Sequence, residues 1–172
     1  MHLVLAGRRR TAIAVIAVLL PWLMAAGCAT APAVGAAAPD FEGVDQRGEP
    51  VSLAMYRGRV LILDFWSLWC APCLRSGPLI EQLHRRYEHD PSVSLLAVHI
   101  VDDGEPAAYL AEHGYTYRTI ERGTAMAADY DINALPTYLV VSAEGSVAWR
   151  HFGMLTDAVR DELVEVVERL RP

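Results

Sequence analysis

The chain has 172 residues, 53% of them apolar, with a formal net charge of −6 and a pI of about 5.4. That length and composition suit one folded domain with a short leader, and they exclude a disordered chain. All fixed positive charge is arginine, with no lysine and no basic stripe, which argues against nucleic-acid binding.

In chain order, Arg8, Arg9 and Arg10 form a basic start, and Thr11 to Ala26 is an apolar run short for a transmembrane helix. "MAAGCA" follows, and small residues ahead of Cys28 resemble a bacterial lipoprotein processing site. On this reading residues 1–27 are a signal peptide and Cys28 carries the lipid. Residues 28–38, small and proline-containing, are then a flexible tether, and 39–172 are the domain. An uncleaved signal anchor is the alternative. Both place the domain outside the cytoplasm (periplasm or cell surface) and attached to a membrane.

Two short extended runs flank Gln46-Arg47-Gly48, which predicts a hairpin. "VLILDFW" (60–66) is a near-continuous apolar run, the pattern of a central strand buried on both faces. After Cys70, the residues Leu74, Leu79, Ile80, Leu83 and Tyr87 recur at helical spacing, with a kink expected at Pro78. Residues 93–100 predict a second strand, 105–113 a short helix opened by Pro106, and 137–141 a third strand. Glu144-Gly145 turns into a fourth strand, "SVAWRHF". Thr156 then caps a last helix with Val159, Leu163, Val166, Val167 and Leu170 on one face. The order hairpin, β-α-β-α, β-β-α predicts an α/β fold: a mixed central sheet with helices on both faces and an N-terminal β-hairpin.

"WCAPC" places Cys70 and Cys73 where the buried strand ends and the helix begins. Free amide N–H groups and the helix dipole at that point stabilise a thiolate at Cys70. Cys73 lies one turn on and can attack a mixed disulfide at Cys70. Pro72 lacks an N–H and is tolerated in the first turn. A zinc site needs about four ligands, and the scattered histidines show no second metal-type spacing. A purely structural staple closing so short a loop adds little stability. Asp64 is a charge inside the apolar run, so its burial raises its pKa and suits it to take a proton from Cys73.

"LILDFWSLWCAPC" followed by "LPT" at 135–137 resembles the thioredoxin superfamily, and more narrowly the membrane-anchored extracytoplasmic thiol-disulfide oxidoreductases of the TlpA/ResA type, over roughly residues 38–171. The resemblance implies a thioredoxin-like fold with Cys70 as attacking thiol, Cys73 as resolving thiol and Pro136 as a cis-proline facing the disulfide. It further implies that Trp69, Ala71, Pro72 and the Leu135 backbone meet the substrate chain. Asp64 matches the buried aspartate of thioredoxin itself, whereas the TlpA/ResA type often places its acid in the central insert, here near Asp102. Asp102 also reads as a helix cap before Pro106, and burial favours Asp64.

The implied activity is protein-disulfide reduction outside the cytoplasm, with the Cys70–Cys73 pair as redox centre and no separate cofactor or metal. Expected partners are disulfide-containing proteins, such as apocytochromes c during maturation or copper-site assembly proteins, and a membrane electron donor. Two alternatives are a disulfide-forming oxidant and a copper chaperone using both thiols as soft ligands. The Ala71-Pro72 pair between the cysteines lacks the histidine usual in strong oxidants.

Overall fold

The computed structural model describes residues 32–101 and 104–172. The leader, Cys28 and Asp102 therefore lie outside the described residues. The first elements are β1 (Glu42–Val44) and β2 (Pro50–Ser52), an antiparallel hairpin, followed by a single 3₁₀ turn at Leu53–Tyr56. Next come β3 (Val60–Trp66), α1 (Ala71–Tyr87), β4 (Val93–His99), α2 (Pro106–Glu112) and β5 (Arg118–Ile120). The chain ends with α3 (Thr124–Asp129), β6 (Thr137–Val141), β7 (Val147–Phe152) and α4 (Asp157–Leu170). The five-stranded sheet has the order β5-β4-β3-β6-β7. β3 pairs in parallel with β4, and β4 with β5. β3 and β6 are antiparallel, as are β6 and β7.

β3 is central and buried at all seven positions. Side chains alternate across a strand. Val60, Ile62 and Trp66 therefore enter one core with Cys73, Ile80 and Leu83 of α1 and Leu163, Val166 and Val167 of α4. Leu61, Leu63 and Phe65 enter the other, with Phe41, Leu53 and Tyr130. Two covered faces account for the near-continuous apolar run, and they set Asp64 on the α1 side. Leu110 of α2 joins the first core and Met126 of α3 the second, so helices cover both faces as expected.

The hairpin turns on Asp45. Its Oδ1 accepts the backbone N–H groups of Arg47 and Glu49, each at 2.9 Å, and its Oδ2 accepts Arg118 Nε–H at 2.8 Å. α1 runs through Pro78 as one helix. Thr156 caps α4 by accepting the Val159 N–H at 3.3 Å. Residues at the end of the expected tether are docked: Gly35 N–H bonds to the Val147 carbonyl at 2.7 Å and Ala38 N–H to that of Gly145 at 2.9 Å. β5 and α3 are additions to the predicted order. At three and six residues they are too short for either periodicity to register.

Candidate active site

The chain leaves the C-terminal end of β3 through Ser67, Leu68 and Trp69 before Cys70 caps α1. Ser67 is buried and organises the turn. Its carbonyl accepts the Cys70 N–H at 3.1 Å, and its Oγ accepts the Trp69 N–H at 3.2 Å. Trp69 is 77% exposed.

Cys70 and Cys73 form a disulfide with Cα atoms 5.2 Å apart. Cys70 Sγ accepts the Cys73 N–H at 3.2 Å, so one free amide of the helix start already points at this sulfur. Cys70 is half-buried and Cys73 is buried. The more accessible thiol is thus the one beside the helix N-terminus, which is the arrangement for an attacking thiolate at Cys70. Ser76 Oγ–H donates to the Pro72 carbonyl at 3.0 Å and accepts the Leu155 N–H at 3.0 Å, tying the first turn of α1 to the segment after β7.

The Leu135–Pro136 bond is cis. Thr137 pairs with Phe65, so Pro136 borders the last residue of β3, at the sheet end from which Cys70 emerges. Pro136 is buried and its carbonyl accepts the Gly153 N–H at 3.0 Å. Among the described residues no hydrogen bond engages the Leu135 backbone. Phe152, paired with Thr137 in register, and Met154 are exposed at the same end of the sheet, adding apolar surface there that the sequence pattern does not single out.

Asp64 is buried, and its Oδ1 has no hydrogen-bond partner among the described residues. Burial pushes its pKa up to about 8. It shares with Ile62 and Trp66 the face of β3 that packs on α1, the face holding Cys73. Tyr117 and Tyr138 are raised by burial and further by the nearby Asp64 charge. The structure thus brings Asp64, the cysteine pair, Trp69, Leu135 and Pro136 to one end of the sheet. The sequence does not mark Ser67, Ser76 or His99: Ser67 bonds only within its own turn, with no pattern to announce it, whereas Ser76 and His99 contact Leu155, Leu68 and Glu121, segments that meet only in the fold. No cluster of three or more His, Cys, Asp or Glu side chains suited to a metal occurs among the described residues, and none of their helices is long and apolar enough to cross a membrane.

The Redoxin family matches residues 33–165. The chain is 32% identical to the thiol-disulfide oxidoreductase ResA of Geobacillus kaustophilus over 148 residues, covering 83% of this chain and 81% of that protein. Among solved structures, the protein provisionally named thiol:disulfide interchange protein DsbE from Chlorobium tepidum superposes with a TM-score of 0.70 at 26% identity, over 78% of this chain and 94% of that one. A thioredoxin-family thiol:disulfide interchange protein from Chlorobium tepidum TLS shares the fold at TM-score 0.67 and 22% identity, over 78% and 94% of the two chains.

Proposed function

The chain belongs to the Redoxin family of the thioredoxin superfamily and is of the ResA type; on that premise we propose that it is an extracytoplasmic thiol-disulfide oxidoreductase, attached to a membrane, that reduces disulfides in partner proteins. The observation that carries the exchange chemistry is the Cys70–Cys73 disulfide at the start of α1, with Cys70 the more accessible sulfur and within 3.2 Å of the Cys73 amide.

In the reduced enzyme, the Cys70 thiolate attacks one sulfur of a substrate disulfide. A Cys70–substrate disulfide forms, and the other substrate sulfur leaves as a thiolate. Asp64 takes the Cys73 proton, and the Cys73 sulfur displaces the remaining substrate sulfur from Cys70. Two electrons pass to the substrate and the Cys70–Cys73 disulfide remains. A membrane electron donor returns the pair to dithiol. The exposed Trp69, with Ala71, Pro72 and the Leu135 backbone, holds an extended substrate segment across the pair, and the unengaged Leu135 peptide groups support that pairing. The reductive direction and a role in cytochrome c maturation follow the resemblance to the TlpA/ResA type. The membrane attachment follows the Cys28 reading.

The test is the reduction potential of the Cys70–Cys73 couple in the purified full-length chain. Thioredoxin lies at about −270 mV and the oxidant DsbA at about −120 mV. A value near the thioredoxin end, with reduction of a protein disulfide by the dithiol form, supports the reading. A value near the oxidant end reverses the direction of electron flow.

A further inference from the structure

The turn that delivers Cys70 presents three consecutive backbone N–H groups. Those of Trp69 and Cys70 bond back to Ser67, inside the turn itself. The N–H of Leu68 instead reaches across to the sheet and donates to His99 Nε2 at 3.4 Å. His99 ends β4 and is 1% exposed. Its other ring nitrogen, Nδ1, is 3.2 Å from the Glu121 carbonyl, which can only accept, so Nδ1 carries the proton and Nε2 is free to accept from Leu68. The ring also stands edge-on to Trp66, with centroids 5.1 Å apart. The His99 carbonyl accepts the Gly123 N–H at 2.8 Å. One imidazole therefore joins the redox turn, the end of β4 and the segment after β5.

We infer that His99 is a positioning residue of the redox site: by holding the Leu68 amide it fixes the turn and thereby sets where the Cys70 sulfur sits over the first amides of α1. The inference rests on the proposed dithiol exchange at that sulfur. Its physical basis is the short reach of helix-terminus stabilisation, which falls off within the first turn. A turn released from Leu68–His99 lets the Cys70 sulfur drift from the Cys73 N–H. The thiolate is then less stabilised and the disulfide harder to reduce. His99 touches neither sulfur.

The experiment compares the full chain with His99→Leu, which removes both ring hydrogen bonds, and His99→Gln, which returns an acceptor near the Nε2 position. Reduction potential and the Cys70 thiolate pKa are read alongside the thermal midpoint. His99→Leu is expected to shift the dithiol–disulfide equilibrium about tenfold toward the disulfide, about 30 mV more negative, and to lower the Cys70 thiolate fraction by a similar factor. His99→Gln is expected to recover most of both. A folded His99→Leu with unchanged potential and thiolate pKa overturns the inference, as does a His99→Gln shifted as far as His99→Leu. Should His99→Leu fail to fold, nitrogen NMR of the wild-type ring decides. A proton on Nδ1 with a protected Leu68 amide supports the contact, and a proton on Nε2 overturns it. A wild-type chain that exchanges with no thiol would sink the proposed function instead, and the same NMR would still rule on His99.

Discussion

Asp64 on β3 and Tyr138 on β6 are paired across the sheet, and each carries a buried oxygen with no hydrogen-bond partner among the described residues. The Ser76 hydroxyl on the same side of the sheet donates to the Pro72 carbonyl and accepts the Leu155 N–H. A carboxylate in such surroundings gains nothing to offset its lost hydration, so the neutral acid is the favoured form. The protein keeps this unfavourable group directly under the helix that carries its reactive sulfurs.

Stability should record that cost. Asp64 ionises at about 8 in the folded protein against 3.8 for a free aspartate. Between those values the folded state holds a proton that the unfolded state has lost. Stability therefore falls as pH rises across the window, by about 1.4 kcal/mol per unit, and levels above it. His84, lowered by burial, works in the opposite sense, so the comparison must be made against Asp64→Asn. Urea unfolding of the oxidised protein at pH 5 to 8 should show the variant gaining on the wild type with each unit. Parallel curves would refute the burial argument.

The same substitution should impair turnover. If Asp64 accepts the Cys73 proton, the rate of resolving the mixed disulfide rises as Asp64 ionises, with a limb near pH 8 set by its raised pKa. Asp64→Asn should remove that limb and slow resolution on the order of 10²-fold. Stopped-flow tryptophan fluorescence across pH would measure it. A limb that survives in Asp64→Asn and disappears in Asp102→Asn moves the role to the central insert.

The division of labour between the sulfurs is tested by trapping. Cys73→Ser leaves the accessible Cys70 thiol without its resolving partner, so mixed disulfides with partner proteins should accumulate. Cys70→Ser leaves only a sulfur 5% exposed and should trap at least about tenfold less. Non-reducing electrophoresis with mass spectrometry of the adducts distinguishes them. Equal trapping by both variants would overturn the assignment of Cys70 as attacking thiol.

What the sequence made legible was whatever repeats along the chain or clusters within a few residues. The run 60–66 announced a strand buried on two faces, and "WCAPC" announced a helix start with a sulfur at its cap. β5 and α3 carry too few residues for a period, and β5 owes its pairing to β4. The contacts that finish the site escaped for a different reason. Leu68 meets His99 across 31 residues of chain, and Leu155 meets Ser76 across 79. A histidine or a serine in a predicted strand or helix carries no mark of the loop it will face.

Asp45, in the N-terminal hairpin beside the β5 edge of the sheet, illustrates the same limit and yields a stability prediction. Burial alone would raise its pKa, but the Glu49 and Arg47 amides and the Arg118 guanidinium outweigh it and hold the carboxyl below the usual range. Its contribution is therefore present above the ordinary aspartate range and is lost as pH falls through its depressed pKa. Asp45→Ala removes three hydrogen bonds and leaves Arg118 without its partner, at a cost of about 3 kcal/mol or more. Urea unfolding at pH 7 should show this loss, with the reduction potential of the folded variant unchanged. A loss below about 1 kcal/mol would mean that the hairpin is held by its apolar contacts instead.

Gly123 provides an independent handle on the redox turn. A Cβ there would collide with the Val98 side chain and lie 3.0 Å from the His99 carbonyl oxygen, a backbone atom with little room to yield. Gly123→Ala should therefore push the end of β4 and cost about 2 kcal/mol, or roughly 4–8 °C in Tm. Because His99 carries the Leu68 contact, the same push should move the reduction potential in the direction of His99→Leu. Calorimetry and redox titration on one preparation test both. A lowered Tm with an unmoved potential would uncouple the end of β4 from the position of the Cys70 sulfur.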